Sequence, residues 1–311
     1  MLRVLLANDD GIDNPGLRAL AAQLAPRAEV LVVAPDGNMG AKSHAVTLHK
    51  PVRLRPVADY VPGADAGRFS AYACSGTPAD CVMLGALHLW QDNPPDLVIS
   101  GINDGENVAQ DLSYSGTVGA ALEGVCCEVP SIALSTEGYG KVDPADTARA
   151  AELALTLLVY GRVFPHQAEL AAAWRANGNG DDNGLWRVPE PDGAPTDEPY
   201  PQPGNWYPAG LNTLPCLNIN LPRCPVAEIR GVLWTRAGQR KYYDVVKPGI
   251  DPRGREYFWV AGDKVLMEDE HVGTDTFALA HGYLSVTPLS YDRTNQADLD
   301  RLRDWRVERN R

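Results

Sequence analysis

The chain has 311 residues, 44% of them hydrophobic and 22% charged, which is enough apolar material for one large core or two smaller ones. A formal net charge of -12 argues against a broad basic surface for nucleic acid, and leaves any anionic ligand dependent on a cation or on backbone N–H groups. Six cysteines without a C-x-x-C pair argue against a zinc ribbon and for free thiols in the cytoplasm; the N-terminal apolar run is too short for a signal peptide, and no stretch approaches the ~20 apolar residues of a membrane span.

Arg3 to Ala7 is an apolar run stopped by Asn8-Asp9-Asp10-Gly11, the pattern of a buried strand and its loop. Asn14-Pro15 reads as an N-cap with proline at the first helical position, and Leu17, Leu20 and Leu24 give that helix an apolar stripe. Glu29 to Ala34 is a second strand, closed by Pro35-Asp36-Gly37. This strand–helix–strand order predicts a parallel, doubly wound α/β sheet. Phe69 to Cys74 predicts a further strand, and Thr77-Pro78-Ala79-Asp80 a helix start with cap, proline and acid in register. Asp96 to Ser100 predicts a strand ended by Gly101. A small-residue helix follows over Gly116 to Val125, then a strand over Ser131 to Ser135 and a helix over Ala145 to Tyr160. Continuous apolar strands of this kind have both faces covered.

Composition changes near Ala176 to Gly210, which is rich in Asn, Gly, Asp and Pro and reads as an irregular, exposed insertion. Regular structure resumes at Leu217 to Leu221. The tail carries alternating segments such as Tyr283 to Val286, suited to hairpins, and a helix from Gln296 to about Val307 with Leu299, Leu302 and Trp305 on one face. The chain therefore divides into a core over residues 1–165, an insertion over 166–212, and the remaining core strands, hairpins and helix over 213–311.

In an open parallel sheet, ligands bind beyond the carboxyl ends of the strands. Four segments there carry oxygen ligands or glycines: Asn8 to Gly11, Pro35 to Gly40, Gly101 to Asn107, and Ser113 to Thr117 at a helix start. Asp9 and Asp10 repel each other unless a cation or donors neutralise them, and hard divalent cations take carboxylate and amide oxygens. By itself Asp9-Asp10-Gly11 reads equally as a solvated turn. Asn103 offers a neutral carbonyl oxygen, or is a turn asparagine. Ser115-Gly116-Thr117 offers N–H groups and hydroxyls to an anion, or is a plain N-cap. The histidines show no ligand spacing; His44, His49 and His88 read as structural, while His271 and His281 lie in the tail. The absence of G-x-G-x-x-G, Walker A and G-x-S-x-G runs argues against dinucleotide, P-loop and α/β-hydrolase chemistry.

Taken together, Asn8-Asp9-Asp10-Gly11, Val33-Ala34-Pro35-Asp36, Ser75-Gly76-Thr77-Pro78-Ala79-Asp80, Ser100-Gly101-Ile102-Asn103 and Tyr114-Ser115-Gly116-Thr117-Val118 resemble the survival protein SurE family. So do Leu217-Asn218-Ile219-Asn220, Asp251 to Tyr257 and Gly282 to Leu289, so the likeness covers nearly the whole chain outside the insertion. The resemblance implies a Rossmann-like core and a C-terminal hairpin and helix extension used in dimers or tetramers. It implies a nucleotidase acting on nucleoside 5′- or 3′-monophosphates with a divalent metal, Mg²⁺ or Mn²⁺. On the family pattern, Asp9, Asp10 and Asn103 are metal ligands, and Asp9 and Asp10 are also catalytic. Asn107, Ser115, Gly116 and Thr117 are the expected phosphate grip. The family's fourth ligand, a serine, falls on Gly40 here, with Ser43 three residues on. The alternatives are a non-catalytic nucleotide- or metal-binding relative, a broader phosphomonoesterase or exopolyphosphatase, and a haloacid-dehalogenase-like phosphatase, which wants D-x-D instead of adjacent aspartates.

Overall fold

In the computed structural model, residues 2–26, 28–138, 216–224, 228–242, 245–261, 265–268 and 271–302 are described. The helix expected over Ala145 to Tyr160, the insertion, and Trp305 lie outside them. The architecture is α/β, with a nine-stranded sheet at its centre. Its strands, in chain order, are β1 (Arg3–Ala7), β2 (Glu29–Pro35), β3 (Leu54–Pro56), β4 (Phe69–Cys74), β5 (Leu97–Asp104), β6 (Ser131–Thr136), β7 (Cys216–Leu221), β8 (Val232–Trp234) and β13 (Leu284–Leu289). They lie in the order β3-β4-β2-β1-β5-β6-β7-β13-β8. From β4 to β7 all neighbours are parallel; β3 and β13 run against theirs, and β8 follows β13.

The doubly wound character follows from side-chain alternation in β1. Val4 and Leu6 face a core shared with Leu17, Leu20 and Leu24 of helix α1 (Pro15–Leu24). Leu5 and Ala7 face the opposite core, with Cys81 and Val82 of α2 (Pro78–Leu84) and Ala120 of α3 (Gly116–Cys126). Both faces are covered, so the strand reads as a continuous apolar run. Leu5 and Leu6 are fully buried, and burial of each stabilises the fold by about 1.5–3 kcal/mol. The helix starts are those read from the sequence. Asn14 Oδ1 accepts from Leu17 N–H at 3.0 Å, and Thr77 and Asp80 close a reciprocal capping box.

Two expectations change. β5 does not stop at Gly101 but runs to Asp104, because a register irregularity between Ser100 and Asn103 lets pairing with β6 resume. Gly101 has φ +143°, and a side chain there would meet Leu134 O at 2.3 Å, so glycine marks the irregularity and not the end. Tyr283 to Val286 is no hairpin arm: β13 lies inside the main sheet, between β7 and β8. Its inward residues Leu284 and Val286 are buried. The tail hairpin lies elsewhere, formed by β10 (Val245–Ile250) and β11 (Glu256–Ala261) in a separate two-stranded sheet. A second small pair joins β9 (Arg240–Tyr242) to β12 (Val265–Glu268). Helix α4 (Asp275–Ala280) precedes β13, and α5 (Gln296–Leu302) follows it with Leu299 exposed.

Candidate active site

β1 is followed by α1 and β2 on one side, while β5 pairs with it on the other. The sheet order reverses between β1 and β5, and a crevice opens there at the carboxyl ends of the strands. Asp9 and Asp10 leave β1 at this point. Asn103 and Asp104 end β5 beside them. The Pro35–Gly40 loop closes over the same edge, with Ile12 N–H bonded to Pro35 O at 2.8 Å and Met39 N–H to Asp9 O at 2.6 Å.

Asp9 is buried, at 4% exposure. Thr117 Oγ1 donates to its Oδ1 at 2.5 Å. Burial pushes the Asp9 carboxyl up, opposed by the Thr117 hydroxyl and by backbone N–H groups, those of Thr117 and Gly116 among them. The N-terminus of α3 is thus turned onto Asp9, in keeping with the preference of helix N-termini for negative charge. Gly116 makes the approach possible: a Cβ there would lie 2.8 Å from Asp9 Cβ and 2.9 Å from its Oδ2.

Asp10 is partly exposed. Asn14 Nδ2 donates to it at 3.2 Å and Asn38 Nδ2 at 3.4 Å. Burial first, then the charge of Asp9, push its carboxyl up to about 6; the Asp104 N–H works against this and the Asp104 charge with it. Asn103 donates its side-chain N–H to Gly105 O at 2.7 Å, so its carbonyl oxygen is the atom it has to offer a ligand. The donor set is therefore two crowded carboxylates and an amide oxygen, with a third acid, Asp104, adjacent. Hard oxygens whose mutual repulsion is only partly offset by hydrogen-bond donors fit a divalent cation.

The sequence-predicted residues come to one edge, but not all in the same way. Ser115 Oγ accepts from Val118 N–H at 3.0 Å, as an N-cap does. Asn107 is buried; its side-chain N–H donates to Ser135 Oγ at 2.8 Å, and its backbone carbonyl accepts from the side chains of Asn218 and Asn220. Asn218 and Asn220 sit two apart on β7, so both side chains point to one face, a period-two signal present in the sequence. The Glu106–Asp111 segment is pinned from the tail: Arg240 pairs with Glu106 at 2.9 Å and Asp111 at 3.4 Å, and Asp275 accepts Ala109 N–H at 2.9 Å.

Asn38 was missed by sequence reading. Its Oδ1 accepts from Gly40 N–H at 2.9 Å while its Nδ2 reaches Asp10, so an amide bridges the loop to the carboxylate pair. Ser43 Oγ donates to Ser113 O at 2.8 Å, fastening the loop to the segment before α3. His44 pairs with Glu123, and His281 stacks on Phe277 at the end of α4.

The arrangement can be compared with known proteins. Residues 4–244 match the family described as Survival protein SurE. A relative from Synechococcus sp. (strain JA-3-3Ab), named 5'-nucleotidase SurE, is 37% identical over 306 residues, covering 98% of this chain and 97% of its own. One of the same name from Geobacter sp. (strain M21) is 36% identical over 308 residues, covering 98% and 100%. The crystal structure of the Sure protein from Aquifex aeolicus superposes with a TM-score of 0.67 at 31% identity, covering 96% of this chain and 98% of that one. With its sheet order, its Asp9–Asp10 crevice and this full-length similarity, the chain belongs to the survival protein SurE family.

Proposed function

We propose that the protein is a divalent-metal-dependent nucleotidase that cleaves nucleoside 5′-monophosphates, and 3′-monophosphates, to nucleoside and phosphate. The observation that carries this reading is the convergence of Asp9, Asp10 and Asn103 at the β1–β5 crevice with the N-terminus of α3 against it. The names of the relatives supply the substrate class. Asp9, Asp10 and Asn103 would hold the ion, for which Mg²⁺ or Mn²⁺ suits the all-oxygen donors. When bound, it supplies Lewis-acid stabilisation of phosphoryl charge and a more acidic water. Asp9, locked by Thr117, orients; Asp10, the more exposed carboxylate, faces the ester as base or nucleophile. Ser115, Gly116, Thr117 and Asn107 flank the phosphate oxygens, where N–H groups at a helix start offset negative charge.

The test is turnover of AMP and p-nitrophenyl phosphate with and without Mg²⁺ or Mn²⁺. Asp9→Asn and Asp10→Asn are each expected to lower kcat by on the order of 100-fold or more. Absence of metal-dependent turnover, or an unchanged rate in either variant, overturns the reading. Gly40 supports one competing reading, a relative that binds metal and nucleotide without turnover; protein that binds Mn²⁺ yet releases no phosphate would establish it. Trapping of an aspartyl-phosphate assigns Asp10 as nucleophile, and its absence in single-turnover work assigns it as base.

We further propose that the chain forms dimers or tetramers through its tail, since the β10–β11 hairpin exposes Val246, Phe258, Trp259 and Val260. A cytoplasmic location accords with six free cysteines. Among the described residues no helix is long and apolar enough to cross a membrane.

A further inference from the structure

A second group of ligand atoms lies towards the other end of α3. His44, in the loop after β2, meets Glu123 in the last turns of the helix, with Nε2 and Oε2 2.6 Å apart. Cys126 follows Glu123 by three residues, which puts both side chains on one helical face. One ligand atom from each of His44, Glu123 and Cys126 lies within 4.8 Å of the other two.

These positions are held by the surrounding fold. Ser43 N–H bonds Tyr114 O at 2.9 Å, and Thr47 N–H bonds Asp80 Oδ1 at 2.9 Å, so the loop is tied on both sides of His44. The backbone at Ser43 and His44 presses on Gly119 of α3, where a Cβ would come within 2.4 Å of Ser43 O. His44 is therefore presented to the helix by a fixed loop, and Glu123 is itself mostly buried.

We propose that His44, Glu123 and Cys126 form a zinc site, separate from the Asp9–Asp10 centre and independent of the nucleotidase reading. One nitrogen, one oxygen and one sulfur suit Zn²⁺, which takes four ligands and accepts thiolate and imidazole; Mg²⁺ prefers oxygens alone. Water fills the fourth position. On binding, Cys126 gives its thiol proton to solvent, and the proton shared between His44 Nε2 and Glu123 Oε2 moves to His44 Nδ1 or to solvent, so that both atoms are free to bind the ion. A bare His–Glu pair has no use for Cys126, so the thiol separates the two readings. The consequence is mechanical: zinc would clamp the loop that carries Gly40 onto the helix that positions Asp9.

The test is titration of the full chain with Co²⁺, reading the thiolate-to-Co²⁺ charge-transfer band, followed by displacement with Zn²⁺. We expect one band-bearing equivalent that Zn²⁺ displaces. Cys126→Ser, a change at an exposed side chain, should abolish the band. His44→Ala and the more conservative His44→Gln should each weaken Zn²⁺ binding at least about tenfold. Cys127→Ser and Asp10→Asn should retain the band, which separates this site from the neighbouring thiol and from the carboxylate centre. Absence of a band, its survival in Cys126→Ser, or unchanged affinity in both His44 variants overturns the proposal.

Discussion

At Gly116 a hydrogen atom occupies the space where any other residue would place a carbon 2.8 Å from Asp9 Cβ. Contacts that close force a shift, and the neighbour here is one of the proposed metal ligands. Gly116→Ala is expected to lower kcat by on the order of 100-fold, the scale at which a displacement of about 1 Å acts on a positioned group. Its circular dichroism should stay native; unchanged kcat would show that Asp9 is not held from α3. Gly40 is the opposite case. A Cβ there meets only Asn38 Oδ1, at 3.2 Å, so serine can be accommodated with a small side-chain shift. Gly40→Ser is expected to add a hydroxyl ligand and to lower the Mn²⁺ concentration giving half-maximal activity by about 10-fold, the lower end of the effect of one added partner at a metal site. A metal titration with no shift would place that hydroxyl outside the ion's reach. The glycine pattern at Ser115-Gly116-Thr117 was legible in the sequence, but the partner of the glycine, a carboxylate 107 residues earlier, was not.

Among the helices, α2 shows how a local signal is reused across elements. Asp80 completes the capping box with Thr77 and also accepts Thr47 N–H, tying the loop of His44 to the helix start. Burial pushes the Asp80 carboxyl up, but the hydrogen bonds from Thr47 and Thr77 together outweigh it and hold the carboxyl below its ordinary value. A carboxyl lowered on folding stabilises the native state above its unfolded pKa of about 3.9, and that stabilisation is lost as pH falls through the lower folded value. Asp80→Asn is therefore expected to cost about 1–2 kcal/mol at pH 7, with the gap to the parent closing below about pH 4. Urea unfolding at pH 7 and pH 3 measures it; an equal gap at both would deny the charge any part. The cap itself was readable from Thr77-Pro78-Ala79-Asp80, because capping is a contact between neighbours in sequence. The extension of β5 past Gly101 was not readable, since it depends on β6 resuming its pairing with Asn103.

For the whole molecule, the exposed hairpin is the feature an isolated chain does not explain. Val260 is 82% exposed and Trp259 68%. In the hairpin register Val246 faces Val260, and clustered apolar side chains of this kind mark a surface that a partner covers. A second copy of the chain is the occupant we propose, and charge introduced at its centre should separate the copies. Val260→Lys with Trp259→Glu is expected to shift light scattering from dimer or tetramer toward monomer, with native circular dichroism. A wild-type monomer, or an unchanged assembly in the double variant, would remove the hairpin from any interface.

The parallel doubly wound core was decided in the sequence itself. Runs such as Val4-Leu5-Leu6-Ala7 and Glu29 to Ala34 require cover on both faces, and the caps at Asn14 and Thr77 fix where helices begin. Asp9, Asp10 and Asn103 were legible as candidates because each comes just after an apolar strand run, although Asn103 proved to lie in the last residues of β5. Only the tertiary structure decided their partners. It turned α3 onto Asp9, bridged Gly40 to Asp10 through Asn38, moved the Tyr283–Val286 segment from a hairpin to the middle of the sheet, and set His44 against Glu123 and Cys126. The division has one physical cause. Periodicity and capping are interactions between residues close in sequence, whereas a crevice is made of contacts that close only when distant strands find their register.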